Sequence, residues 1–200
     1  MNYAKIDKVS VADGIGVRTV LYVSGCSLRC KECHNPECWD YSFGKPFTED
    51  TMQELLFDLK EDYIQGVTIS GGHPLDSYNL PEVYEIVKRI KMVYPNKDIW
   101  LYTGYTWEQI LIQDQIYEDH EVNSPSALDV VKYCDVIVDG PYMEEFRDTT
   151  LAFRGSSNQR VIDVKNTLKF MKFKHNKIVA LFNTQKEKTI WIYQLEHCMN

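Results

Sequence analysis

Thr19-Val20-Leu21-Tyr22-Val23-Ser24-Gly25-Cys26-Ser27-Leu28-Arg29-Cys30-Lys31-Glu32-Cys33 carries an apolar, β-branched run straight into three cysteines spaced C-x3-C-x2-C. The run Thr19–Val23 reads as a buried strand. Three thiolates this close in sequence can converge on one metal centre. Thiolate sulfur suits iron–sulfur clusters and zinc alike, so two readings stand side by side. In one, Cys26, Cys30 and Cys33 hold a [4Fe-4S] cluster and leave one iron open to a small molecule. In the other, Cys38 or His34 completes a structural zinc site. Zinc sites usually pair two short spacings across a longer gap. The compact trio at a strand end leans toward the cluster.

Outward from this stretch, strands alternate with helices. Met52, Leu55, Leu56, Leu59 and Tyr63 share a face at helical spacing, after a candidate capping box Thr51-Met52-Gln53-Glu54 and before a terminating Gly66. Val67–Ser70 reads as a second strand running into Gly71-Gly72. Val83, Ile86, Val87, Ile90 and Val93 form a second amphipathic helix, closed by Pro95. Ile99–Tyr102 is a third strand ending at Thr103-Gly104, and a third helix is expected from Thr106 to Ile116. After a polar loop, Asp119–Ser126, come a short helix, Leu128–Tyr133, and a fourth strand, Asp135–Val138. Val161–Val164 is a candidate fifth. This alternation predicts βαβ units and a parallel sheet of the α/β class. The chain is short for a full eight-fold barrel. The expected fold is therefore an incomplete, TIM-like barrel or an open curved parallel sheet with flanking helices. The special residues gather just after strands, at the edge where such folds bind ligands.

With 200 residues the chain suits one domain plus a small module: a core over 1–164 and a C-terminal extension over 165–200. Ile178–Phe182 and Thr189–Tyr193 read as a β-hairpin around Asn183–Lys188. The formal net charge of −7 argues against general nucleic-acid binding, which needs a basic footprint. The extension departs from this: seven Lys against two Glu make it +5 and leave −12 for residues 1–164. No window approaches the roughly 18 apolar residues of a membrane span, and the first residues hold no apolar signal core. A cytoplasmic location is expected. A reducing compartment favours metal or redox roles for the close cysteines over disulfides. Cys134 and Cys198 are isolated and read as idle thiols.

Two further stretches bear on chemistry. In Ser70-Gly71-Gly72-His73-Pro74 the paired glycines would let a ligand approach the backbone. Arg154-Gly155-Ser156-Ser157-Asn158-Gln159-Arg160 is either a solvated polar turn or a hydrogen-bonding loop for a carboxylate and a ribose. His34 is placed to stack on a flat ligand. No Ser-His-Asp arrangement, P-loop or G-x-G-x-x-G fingerprint occurs.

The cysteine loop after a strand is similar to that of the radical S-adenosylmethionine enzymes, and the Gly71-Gly72 turn looks like their site for the methionine amino group. Asp13-Gly14-Ile15-Gly16-Val17-Arg18, Gly25-Cys26, Cys33-His34-Asn35-Pro36, Tyr102-Thr103-Gly104-Tyr105, Asp135–Gly140 and Arg154–Arg160 together resemble the activating enzymes of anaerobic (class III) ribonucleotide reductases. Arg154–Arg160 and the small size favour that family over pyruvate formate-lyase activases, whose cysteine loop is alike. The resemblance covers residues 1–164 and implies the following. Cys26, Cys30 and Cys33 ligate a [4Fe-4S] cluster. S-adenosyl-L-methionine binds as cosubstrate, contacted by Glu32, Cys33, His34, Gly71, Gly72, Thr103, Arg154, Ser156 and Asn158. A flavodoxin-like donor supplies an electron. Reductive cleavage of the sulfonium yields a 5′-deoxyadenosyl radical, which takes a hydrogen from a glycine of the reductase's glycyl-radical subunit. No membrane or nucleic acid is involved. His73 stands where the family usually has an acidic residue, Ile15 where it often has Pro, and His34 where many members have an aromatic ring.

Overall fold

The seven strands are β1 (Asn2–Ser10), β2 (Val17–Val23), β3 (Lys45–Pro46), β4 (Ile64–Gly71), β5 (Asp98–Tyr102), β6 (Val136–Asp139) and β7 (Arg160–Asp163). The helices are α1 (Glu49–Leu59), α2 (Leu80–Val93), α3 (Trp107–Asp119), α4 (Ala127–Val131) and α5 (Val164–Ile178). This computed structural model describes residues 1–178. The strands form one open mixed sheet in the order β3-β1-β2-β4-β5-β6-β7.

The centre, β2-β4-β5-β6, is parallel. Helices α1, α2 and α3 lie in its connections, as parallel neighbours require. The flanks differ from the all-parallel expectation. β1 returns to β2 through the turn of residues 11–16 and pairs antiparallel. No α-helix separates β6 from β7, and β7 also pairs antiparallel. Without a crossover helix the chain reverses rather than repeats its direction.

Helix α2 buries Leu80, Val83, Ile86, Val87 and Ile90 along one stripe, while Val93, expected on it, ends the helix exposed. Fully burying side chains of this kind contributes about 1.5–3 kcal/mol each. Helix α1 buries Met52, Leu55, Leu56 and Leu59. Its start and end differ from expectation. Thr48, not Thr51, is the cap and accepts from the Thr51 amide. The helix stops at Leu59, so Tyr63 is exposed, and Gly66 lies inside β4 rather than ending the helix.

Along β5 the side chains alternate. Ile99 and Leu101 join the main core with the helices, while Trp100 packs with Val136, Val138, Tyr102, Phe153 and Val161 on the other face. Arg18 is fully buried beneath that second face. Its Nε donates to Thr68 Oγ1 at 2.8 Å and its Nη2 to the Val67 carbonyl at 2.8 Å, and it pairs with Asp98. It thereby ties β2, β4 and β5 together at the edge opposite the cysteines.

The first turns of α5 close on the sheet through Val164, Leu168 and Met171. The hairpin expected over Ile178–Phe182 and Thr189–Tyr193 lies outside the described residues, apart from Ile178, which ends α5. No helix among the described residues is long and apolar enough to cross a membrane.

Candidate functional site

Because the central strands are parallel, their C-terminal ends share one sheet edge, and the loops after β2, β4, β5 and β6 meet there. They enclose a cleft lined by Cys26, Cys30, Cys33, His34, Gly71, Gly72, His73, Thr103 and neighbouring residues. The cysteine loop, the double glycine and the end of β5 therefore reach one space from three separate parts of the chain. Five cysteines are free among the described residues, these three included.

The loops are stitched by backbone and buried side-chain bonds. The Gly72 amide donates to the Val23 carbonyl at 2.7 Å, and the His73 amide to the Gly25 carbonyl at 2.9 Å. Buried Asn79 donates from Nδ2 to the carbonyls of Ser24, Gly25 and His73. Glycine is demanded at both turn positions. Gly71 has φ +99°, and a Cβ there would stand 2.6 Å from the Val23 oxygen. A Cβ on Gly72 would meet the Gly25 oxygen at 2.5 Å and the Cys38 oxygen at 2.8 Å.

Asp76 fastens the cysteine loop from the β4–α2 side. Its Oδ2 accepts from Ser27 Oγ at 2.6 Å, the Ser27 amide at 3.3 Å and Tyr41 Oη at 2.9 Å. Its Oδ1 accepts from the Tyr78 amide at 3.2 Å. Burial opposes the charge of this carboxylate, but these donors outweigh it and hold the pKa below its ordinary value. Between the cysteines, Arg29 and Glu32 adopt left-handed backbone, φ 47° and 56°. Such strain persists only where the surroundings impose it. The Leu28 and Arg29 backbone beside Cys26, and the Tyr142 backbone beside Cys30, act to lower the two thiols. Burial pushes the Cys26 and Cys30 thiols up, and the neighbouring cysteines add to the shift. Metal binding must therefore displace protons.

His73 is 1% exposed, and its Nε2 lies 2.8 Å from Thr103 Oγ1. Its ring meets Tyr105 edge-on at 4.4 Å. Burial lowers its pKa to about 4, so it is neutral near pH 7. Its Nδ1 is buried with no hydrogen-bond partner among the described residues. His34 packs its ring against Tyr142 at 5.1 Å.

The Arg154–Arg160 loop stands behind the wall. Only its Gln159 lines the cleft. Arg154 Nη1 donates to the Gln159 carbonyl at 2.9 Å, Asn158 Nδ2 to the Pro141 carbonyl at 2.8 Å, and buried Ser156 accepts from the Met143 amide at 3.3 Å. Asn158 Oδ1 is buried and unpaired among the described residues. Glu32 is absent from the lining as well. Sequence reading passed over Tyr142 and Asp76, and named Gln159 only as part of its loop. Gly140 also lines the cleft, and its place just after a strand, like that of Gly72, is the signal that marks this wall.

The Cys26, Cys30 and Cys33 thiols line the cleft together with the His34 ring. Cys38, a candidate fourth zinc ligand, is 3% exposed and off the cleft wall, its thiol pushed up to about 11 by burial. Three thiols opening on one cleft, with Cys38 off its wall, fit a cubane cluster that leaves one iron free.

A family model described as a 4Fe-4S single cluster domain matches residues 12–162. The anaerobic ribonucleoside-triphosphate reductase-activating protein of Enterobacteria phage T4 is 40% identical over 161 residues, 80% of this chain and 93% of that protein. Its namesake in Escherichia coli K12 is 36% identical over 163 residues, 80% of this chain and 97% of that one. The Vibrio cholerae protein of the same name is 38% identical over 161 residues, 80% and 96% of the two chains. The chain belongs to the family of anaerobic ribonucleoside-triphosphate reductase-activating proteins, with a 4Fe-4S single cluster domain as its core.

Proposed function

We propose that this chain activates anaerobic ribonucleotide reductase by leaving a glycyl radical on the reductase, using S-adenosylmethionine and a [4Fe-4S] cluster. One observation carries the reading: the thiols of Cys26, Cys30 and Cys33 open on the same cleft as Gly71, Gly72, His73 and Thr103. The three cysteines hold the cluster. When bound, that cluster supplies one electron to the sulfonium, whose S–C5′ bond breaks to give methionine and a 5′-deoxyadenosyl radical.

The chain's own groups bind, orient and shield. Gly71 and Gly72 line the wall offered to the methionyl end of the cosubstrate, with Gly72 bonded to the Val23 carbonyl. Thr103 and neutral His73 form that wall without adding a charge. His34 stacks on the flat end of the ligand, and the strained Glu32 backbone shapes the turn between two ligands. Arg154, Ser156 and Asn158 hold the far wall, Asn158 with an acceptor to spare. The open sheet acts as an incomplete barrel, whose lateral gap admits the glycine loop of the reductase. Residues 1–164 are the catalytic core and 165–200 an extension of it. A flavodoxin-like protein in the cytoplasm is the electron donor.

The test is to mix anaerobically reconstituted chain, reductant and S-adenosylmethionine with an anaerobic reductase subunit, and record the electron paramagnetic resonance spectrum. A glycyl doublet on the reductase is expected. S-adenosylmethionine cleavage with no doublet on any such subunit refutes the assigned partner.

A further inference from the structure

We infer that Asp76 is a positioning residue for the cluster: a fixed negative charge, pinned to the residue after Cys26, that makes the bound cluster a stronger reductant. The inference rests on the reading of Cys26, Cys30 and Cys33 as cluster ligands. Asp76 is 3% exposed and sits in the β4–α2 loop, beyond the double glycine. Among the described residues its side chain is held by two hydroxyls and two amides, and none of these partners is cationic. Its charge is therefore retained but not cancelled. The Ser27 amide lies 3.3 Å from Oδ2, so covalent geometry places the carboxylate within about 8 Å of the Cys26 sulfur.

Net charge near a cluster and hydrogen bonds to its sulfurs set its potential. Reduction adds a negative charge, so a neighbouring carboxylate disfavours the reduced form and lowers the midpoint. A buried charge is screened far less than a surface one. The same carboxylate fixes Ser27, the residue through which Cys26 joins the rest of the cysteine loop. A purely structural pin would be neutral in sign toward the potential; a charged one is not.

Two variants separate the roles. Asp76→Asn keeps an acceptor oxygen for Ser27 and Tyr41 and removes the charge. Tyr41→Phe keeps the ring and the charge but removes one donor that partly offsets it. Parent and variants are reconstituted anaerobically with iron and sulfide, assayed for iron per chain, and titrated by electron paramagnetic resonance for the cluster midpoint. The expected result is an upward shift in Asp76→Asn and a smaller downward shift in Tyr41→Phe, at parental iron content. An unmoved or lowered midpoint in Asp76→Asn overturns the inference. Should that variant fail to fold, an upward shift in Tyr41→Phe overturns it alone. A parent chain that takes up no iron overturns the ligand reading together with this one.

Discussion

Replacing His73 by Gln should abolish one component of the pH dependence of stability. His73 is 1% exposed, and its folded pKa falls to about 4 from an ordinary value near 6.5. The unfolded chain therefore takes up a proton on this imidazole before the folded chain does. Stability from the neutral ring is complete above about pH 6.5 and is lost as pH falls toward about 4. A gap of about 2.5 pH units at 1.36 kcal/mol each amounts to about 3 kcal/mol. Gln reaches Thr103 as Nε2 does but does not titrate. The assay is urea unfolding of the metal-free chain, under reductant, at intervals from pH 7.5 to 4.5. The parent should lose about 2.5 kcal/mol more than His73→Gln across that range, since pH 4.5 stops short of the folded pKa. Carboxylates with lowered pKa values, such as Asp135 and Glu108, are common to both chains and cancel in the difference. Parallel curves for the two chains would refute the argument that this histidine is buried neutral.

Other consequences follow from contacts elsewhere. Gly72→Ala drives a Cβ onto two backbone oxygens that cannot retreat; a loss of about 2 kcal/mol in unfolding free energy is expected, with reduced iron uptake after reconstitution. Arg160 donates from Nε to Asp139 Oδ1 at 2.9 Å and from Nη2 to Glu108 at 2.8 Å, and Asp139 is fully buried. Arg160→Met leaves that carboxylate uncompensated and should cost about 3 kcal/mol by denaturant titration, with much of the loss restored in the double variant with Asp139→Asn. Thr106 and Gln109 form a reciprocal capping box at the start of α3, so Thr106→Ala should lower stability by about 1 kcal/mol in the same assay.

The central strands and helix α2 were legible because their signals are local. A buried parallel strand is an apolar run, and the stripe of α2 repeats with the helical period. The strand β1, Asn-Tyr-Ala-Lys-Ile-Asp-Lys-Val-Ser, escaped notice because charged residues interrupt it. It lies between β3 and β2 with every residue at least partly exposed, so its pattern never becomes apolar. The direction of β7 was equally hidden, since orientation depends on the connection and not on the strand. At the site, the cysteines and the double glycine stood out by spacing. Asp76 and Tyr142 did not, because their partners Ser27 and His34 lie far away along the chain. The Arg154–Arg160 loop was singled out by composition, and the structure spends most of its polar groups on its own frame.

The most direct test of the account is iron, sulfide and 5′-deoxyadenosine, measured after anaerobic reconstitution, reduction and addition of S-adenosylmethionine. The account predicts a [4Fe-4S] stoichiometry and product in the parent, both lost in Cys26→Ala, Cys30→Ala and Cys33→Ala and kept in Cys38→Ala and Cys134→Ala. Product that survives removal of any of the first three, or disappears with Cys38 alone, would contradict it.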